Sequence, residues 1–233
     1  MEYPIQQDML AKFRWLDSVS QVARSITIKD FFDETKREEH LTWMMTHCGS
    51  PNKGHAASIT VKRIGYLAAI YVYVKHTHQV ESSFLEGTMH TIQDETSSTG
   101  WVPMYSFPLM SSSNEKLLDE WVTKDLYAKY LVPLVALLSE EKGISQTTLF
   151  ENIHTYMKWM FINKLGIKEE YQKLLTNPIS KFGDLLHHPL SRFDCGDDAL
   201  RKTCCLFYQT DGANKPCEKC PLTKKYHLEN VSL

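Results

Sequence analysis

The sequence predicts an α+β fold that is mainly α: a helical body over residues 1–184 with a small antiparallel β element, then a loop-rich, cysteine-bearing C-terminal segment over 185–233. Three observations carry this. Apolar residues recur at helical spacing through most of the body. Two short β-prone runs between 88 and 107 flank a turn-rich stretch. From Leu185 onward the periodicity stops and His187-His188-Pro189, Cys195-Gly-Asp-Asp198, Pro216 and Pro221 read as loop.

Taken in order, Met9–Ala23 places Met9, Phe13 and Leu16 on one helical face. Thr27-Ile-Lys-Asp30 is a helix start signal before a stretch containing Leu41, Met44 and Met45, which Gly49-Ser50-Pro51 ends. Ala56–His78 puts Ala57, Val61, Ile64, Ala68 and Tyr71 on one stripe, with Lys62, Arg63 and Lys75 off it. Thr88–Asp94 and Trp101–Phe107 form a hairpin around Glu95-Thr-Ser-Ser-Thr-Gly100. Leu118, Trp121, Val122, Leu126 and Tyr130 return to helical spacing, with a kink or restart expected at Pro133 and an end at Gly143. Thr148-Leu-Phe-Glu151 has the capping-box pattern and opens a helix whose face holds Leu149, Ile153, Tyr156, Met157, Met160 and Phe161, closing before Gly166.

Composition bounds the class. With 233 residues, 42% apolar and 23% charged, the chain can build a core, which excludes disorder as its main state. The balance of 26 basic against 28 acidic residues lacks the cationic excess that a nucleic-acid binder or a polybasic membrane-surface protein needs. The N-terminus, MEYPIQQDML, has neither a basic region nor an apolar core, so no secretory signal is expected. The longest apolar-rich run, Ile64–Val74, falls short of the ~20 residues of a bilayer span. The expectation is a cytoplasmic protein without an integral membrane segment, whose thiols are metal or redox ligands.

Four of the six cysteines, Cys204, Cys205, Cys217 and Cys220, fall within 17 residues. A CxxC turn brings two sulfurs onto one centre, and metal binding supplies folding free energy that a loop-rich segment lacks. Zinc clips commonly use two separated CxxC knuckles on one tetrahedral ion, an arrangement that adjacent cysteines reach with difficulty. A [2Fe-2S] rhomb spreads four thiolates over two irons and accommodates a vicinal pair better. Iron-sulfur, zinc and disulfide readings all remain open on spacing alone.

Arg201-Lys-Thr-Cys-Cys-Leu-Phe-Tyr208 followed by Cys217-x-x-Cys220-Pro221 resembles the C-terminal signature of FhuF-like ferric-siderophore reductases, a Cys-Cys pair and a CxxC that bind one [2Fe-2S] cluster. The resemblance extends to His188-Pro-Leu190 and to His55-Ala-Ala-Ser58 with Lys62. The stretch between the pairs, Leu206 to Pro216, is one residue longer than in that signature. The resemblance implies a cytoplasmic enzyme that reduces Fe(III) in an imported siderophore by one electron, and the expected partner is a ferric siderophore of hydroxamate or citrate type. Oxygen chelators hold Fe(III) far more tightly than Fe(II), so reduction releases the metal. It also implies that Cys204, Cys205, Cys217 and Cys220 ligate the cluster and that no side chain beyond them is catalytic. No GxGxxG fingerprint for a nicotinamide or flavin is visible, so a separate ferredoxin, flavodoxin or reductase is expected to supply the electron.

Two ferric ions, two sulfides and four thiolates sum to about −2, and reduction takes this to about −3. Arg201, Lys202, Lys215, Lys219, Lys224 and Lys225 crowd the motif and are expected to favour the reduced form and an anionic chelate. Lys62, Arg63, His188, Arg201 and Lys202 are the candidate substrate contacts. Cys48 and Cys195 read as bystanders. Two other functions compete. One is a non-enzymatic ferric-chelate binding protein with a zinc- or cluster-clipped tail. The other is a siderophore synthetase, disfavoured because no phosphate-binding glycine loop is visible and the chain leaves no room for a nucleotide-binding half.

Overall fold

The N-terminal stretch departs first from the helical reading. The computed structural model describes residues 10–17, 20–78, 83–92, 101–109, 117–196, 199–211, 213 and 216–223. Among the described residues the helical stretch at Leu10 is short and Arg14, at φ 60°, breaks it, with Phe13 and Trp15 in the core; Met9 lies outside the described residues. From Val22 the chain is strand β1 (Val22–Thr27), not helix. Its partner lies more than sixty residues away, a gain in pairing that local propensity does not register. The predicted hairpin is present as β2 (Thr88–Ile92) and β3 (Met104–Ser106), while its turn, Glu95 to Gly100, lies outside the described residues. The sheet is antiparallel throughout in the order β1-β2-β3, with Thr27 opposite Thr88 and His90 opposite Met104. Ile26, Met89, Thr91 and Tyr105 face inward, alternating with more exposed neighbours.

The Thr27/Asp30 start signal forms as expected, the Asp30 carboxylate accepting from the Thr27 N–H at 2.9 Å and hydroxyl at 2.7 Å, but it closes only the 3-10 turn Lys29–Phe32. Helix α1 (Glu34–His47) is capped separately by Asp33, whose carboxylate accepts the Lys36 N–H. Helix α2 (Lys53–His78) is buried on almost every side between Ala56 and Val74, Lys75 included, and is the central helix of the body, not an amphipathic one.

Helix α3 spans 118–138. It is π-helical over Trp121–Leu131 and resumes α geometry over Val132–Leu138. Pro133 has no N–H to close the preceding turn, and the wider turns upstream absorb the missing bond while the helix continues. Helix α4 spans 146–164, α-helical over Gln146–Lys158 and π-helical over Trp159–Lys164, and α5 is Lys168–Thr176. The cap of α4 is Ser145, which accepts the Thr148 N–H, so Thr148 and Glu151 do not form the predicted capping box.

Helices α2 and α4 make the most extensive contact in the body. At their crossing a Cβ on Gly65 would stand 2.9 Å from Ile153 Cα, so glycine is what lets the two backbones touch. The crossing brings Ser58 of α2 against Asn152 of α4, where Asn152 Nδ2 donates to the Ser58 hydroxyl at 3.0 Å. Beyond Phe182 the chain is irregular, held to the core by Leu190 and Phe193. Among the described residues no helix is long and apolar enough to cross a membrane.

Candidate metal centre

The residue after Cys204 and Cys205, Leu206, takes the left-handed conformation at φ 63°. Leu206 N–H donates to Cys204 Sγ at 3.3 Å, and Phe207 N–H bonds Cys205. The CxxC turn is closed by Cys220 N–H on the Cys217 carbonyl at 2.9 Å, and Thr223 Oγ1 donates to both carbonyls. Arg201 N–H donates to the Lys219 carbonyl at 2.8 Å, stitching the two motifs together.

The sulfurs associate across the motifs, one from each. Cys220 and Cys204 lie 3.4 Å apart, and Cys217 is hydrogen-bonded to Cys205. All six cysteines are free thiols. Two sulfurs at ~2.3 Å on one tetrahedral ion stand ~3.8 Å apart, so the Cys204–Cys220 contact has nearly the spacing of a ligand pair. Among the described residues no group of three or more His, Cys, Asp or Glu is arranged to hold a single ion. A two-iron group takes four thiolates spread over its two irons. The hydrogen bond from Cys217 draws Cys205 toward thiolate, down to about 5, with Lys62 and Arg201 adding their attraction. Burial pushes Cys204 up to about 12.

The segment is seated by buried polar groups of α2 and α4. Glu151, 3% exposed, accepts the Lys202 and Thr203 backbone N–H groups, each at 2.7 Å, and the Thr203 hydroxyl. Arg201 Nη2 donates to Asn152 Oδ1 at 2.6 Å, and Ser58 Oγ donates to the Cys205 carbonyl at 2.8 Å. The stretch between the motifs is tied down by His55. Its Nε2 pairs with Thr210 Oγ1 at 3.2 Å and its Nδ1 with Ser50 Oγ at 3.0 Å, and Asp211 N–H donates to the Gly49 carbonyl. Burial pushes His55 down to about 4, so it is neutral.

Of the sequence-predicted contacts, the structure brings two close to the sulfurs. Lys62 lies with its ammonium 4.8 Å from the Phe207 ring centre, where burial lowers its pKa and Cys205 and Cys217 oppose that fall. Arg201 is the second. Lys202 is exposed and contributes its backbone. Arg63 points elsewhere, donating to the Trp101 carbonyl at 2.6 Å. His188 caps its own loop, its Nδ1 accepting the Leu190 and Ser191 N–H groups at 3.1 Å. Lys215, Lys224 and Lys225 lie outside the described residues. Cys48 is buried and pushed up to about 12, and Cys195 is exposed.

Beside the segment opens a cleft of about 430 Å³, walled by Glu151, Lys158, Trp159, Cys195, Arg201 and Lys219 among others. Neither the cleft nor the Glu151–Asn152 seat was anticipated. The available signal was a carboxylate and an amide set between Leu149 and Ile153 in an otherwise apolar stretch.

Residues 201–222 match the FhuF 2Fe-2S C-terminal domain, a match that covers both cysteine motifs. This part of the chain is a FhuF-type domain, with a [2Fe-2S] cluster as its cofactor. No curated protein and no solved structure matches the chain.

Proposed function

We propose that the protein is a cytoplasmic ferric-siderophore reductase, with Cys204, Cys205, Cys217 and Cys220 as the ligands of its cluster. The observation that carries this reading is the pairing of thiols across two motifs inside a segment of FhuF type. When bound, a [2Fe-2S] cluster supplies one-electron chemistry. The reaction is the reduction of chelated Fe(III) to Fe(II) by one electron from an external donor such as a ferredoxin, a flavodoxin or a reductase, after which the weakened chelate gives up its metal.

The chain's own residues position and bias the centre. Glu151, Asn152 and Ser58 hold the Cys-Cys motif, His55 holds the stretch that follows, and Lys62 and Arg201 place positive charge beside Cys205. No acid, base or nucleophile is required. The test is anaerobic stopped-flow oxidation of the dithionite-reduced protein by ferric siderophores of hydroxamate and citrate type. A red-brown protein that bleaches with dithionite and recovers its colour faster with a ferric siderophore than in buffer supports the assignment. A colourless protein holding one zinc, or a reduced protein that no ferric siderophore oxidises, overturns it.

A further inference from the structure

Asn152 and Ser58 are both fully buried, and the Asn152 amide uses its oxygen and both of its protons between the cysteine segment and α2. Oδ1 accepts from Arg201 Nη2 at 2.6 Å, while Nδ2 donates to the Ser58 carbonyl at 3.1 Å and to the Ser58 hydroxyl at 3.0 Å. The Ser58 hydroxyl in turn donates to the Cys205 carbonyl at 2.8 Å. These contacts form a closed path that leaves the segment at Arg201, crosses α4 and α2, and returns four residues later at Cys205. Its direction is fixed at both ends, because a guanidinium only donates and a carbonyl only accepts. Arg201 therefore turns the amide so that Oδ1 faces it and Nδ2 faces α2. The amide occupies a lone pair of the Ser58 oxygen, and the one hydroxyl proton is left for the Cys205 carbonyl.

We infer that Asn152 is a positioning residue of the metal centre: its amide, oriented by Arg201, aims the Ser58 proton at the Cys205 backbone, and so fixes where that ligand stands and which end of a dipole faces it. The inference rests on the ligand set of the reductase reading and adds a residue that touches no sulfur yet acts on one ligand through Ser58. Linked hydrogen bonds polarise one another, so the path is stronger than its separate contacts. Its positive end points at the Cys205 carbonyl, and hydrogen bonding around the ligands favours the more negative, reduced cluster. The direction also explains why an amide, and not a carboxylate, stands at 152. An aspartate would keep the Arg201 contact but accept where the amide donates. The Ser58 proton would then turn to the carboxylate and leave the carbonyl of Cys205, a residue 3% exposed, without that donor. Glu151, next in sequence, acts differently, by accepting the Lys202 and Thr203 N–H groups.

The test compares Ser58→Ala, Asn152→Asp and the double variant with wild type, each as the full chain with its cluster. Two quantities are read: the rate at which the visible absorption is lost to the chelator EDTA, and the midpoint potential in a dye-mediated titration. Ser58→Ala and Asn152→Asp should each speed cluster loss roughly tenfold, as a buried carbonyl loses its donor. The double variant should lose its cluster no faster than Asn152→Asp alone, because both changes break one path. Ser58→Ala, which alters no charge, should also lower the midpoint potential, a change that a role in packing alone would not produce. Repulsion between a carboxylate at 152 and Glu151 would instead make the two rate factors multiply, toward roughly a hundredfold, and that result overturns the inference. Ser58→Ala with either quantity unchanged from wild type overturns it as well, and this variant removes a single oxygen, so it keeps the test valid if Asn152→Asp disturbs folding. The reductase reading fails separately: a red-brown protein that no ferric siderophore oxidises overturns that reading and leaves the role of Asn152 standing.

Discussion

In the helical body Leu134, Phe161 and Tyr127 are fully buried among other apolar side chains, and α2 is covered on nearly all sides. In the cysteine segment the buried residues of the described stretch 199–223 are Cys205, Thr210 and Cys220, and the backbone is tied down by Glu151, Asn152, Ser58 and His55. Apolar burial is non-directional and scales with area, so it secures a fold without fixing the position of any one atom. Hydrogen bonds to buried, pre-set partners fix atoms, and each leaves a costly orphan when its partner goes. The body should therefore lose stability by truncation of its core, while the segment should lose its metal through a polar change that leaves the helices standing.

Four changes break or sharpen that contrast. Phe161→Ala should cost about 3–5 kcal/mol and unfold body and segment together, seen as a lower denaturant midpoint by circular dichroism. Acid comes next. His55 and His154 are both buried and held down at about 4, His154 against Tyr171 with Asp194 opposing the fall, whereas both titrate near 6.5 when unfolded. The unfolded chain thus binds more protons between those values, and stability that is complete above pH 6.5 is lost as pH falls toward about 4. From pH 7 to pH 5 the loss should be on the order of 2 kcal/mol from each histidine, and His55→Asn should remove its own share of the slope.

Glu151→Ala should cost about 2–3 kcal/mol, since two N–H groups and the Arg201 charge lose their acceptor together. Iron content should fall and protease should cut between Phe193 and Cys204 while the helical signal persists. A global melt as deep as that of Phe161→Ala would erase the contrast. The smallest effect is Lys62→Met, which should retain iron and lower the midpoint potential by on the order of tens of millivolts, because a cation beside Cys205 and Cys217 favours the more negative reduced state. An unchanged potential in a redox titration would assign Lys62 to packing alone.

The same contrast explains what was legible in the sequence. The face of Leu149, Ile153, Met157, Met160 and Phe161 was legible because burial follows helical period, whereas Ala56–His78 was legible as a helix but not in its burial, which runs round nearly the whole helix, Lys75 included. The cysteine motif was legible because ligand spacing is local. Strand β1 was not, since its reason for being a strand is β2. Glu151 matched a local capping box yet bonds Lys202 and Thr203, fifty-one and fifty-two residues on. Nothing in a one-dimensional pattern separates a carboxylate that caps its own helix from one that receives a distant backbone. The cleft was equally invisible, because Lys158, Arg201 and Lys219 are brought to one place only by the fold.

The glycine at the crossing of α2 and α4 has a reach beyond its own contact. Ser58 precedes Gly65 by seven residues, about two helical turns on the same face, and Asn152 adjoins the Ile153 that Gly65 touches. A single hydrogen atom at position 65 is thus the datum from which the Asn152–Ser58–Cys205 chain of contacts is measured, and a methyl group there would wedge that alignment open from within the core. The alignment of the metal site is thus set in a place that touches no sulfur, where neither helix can thicken without the other giving way.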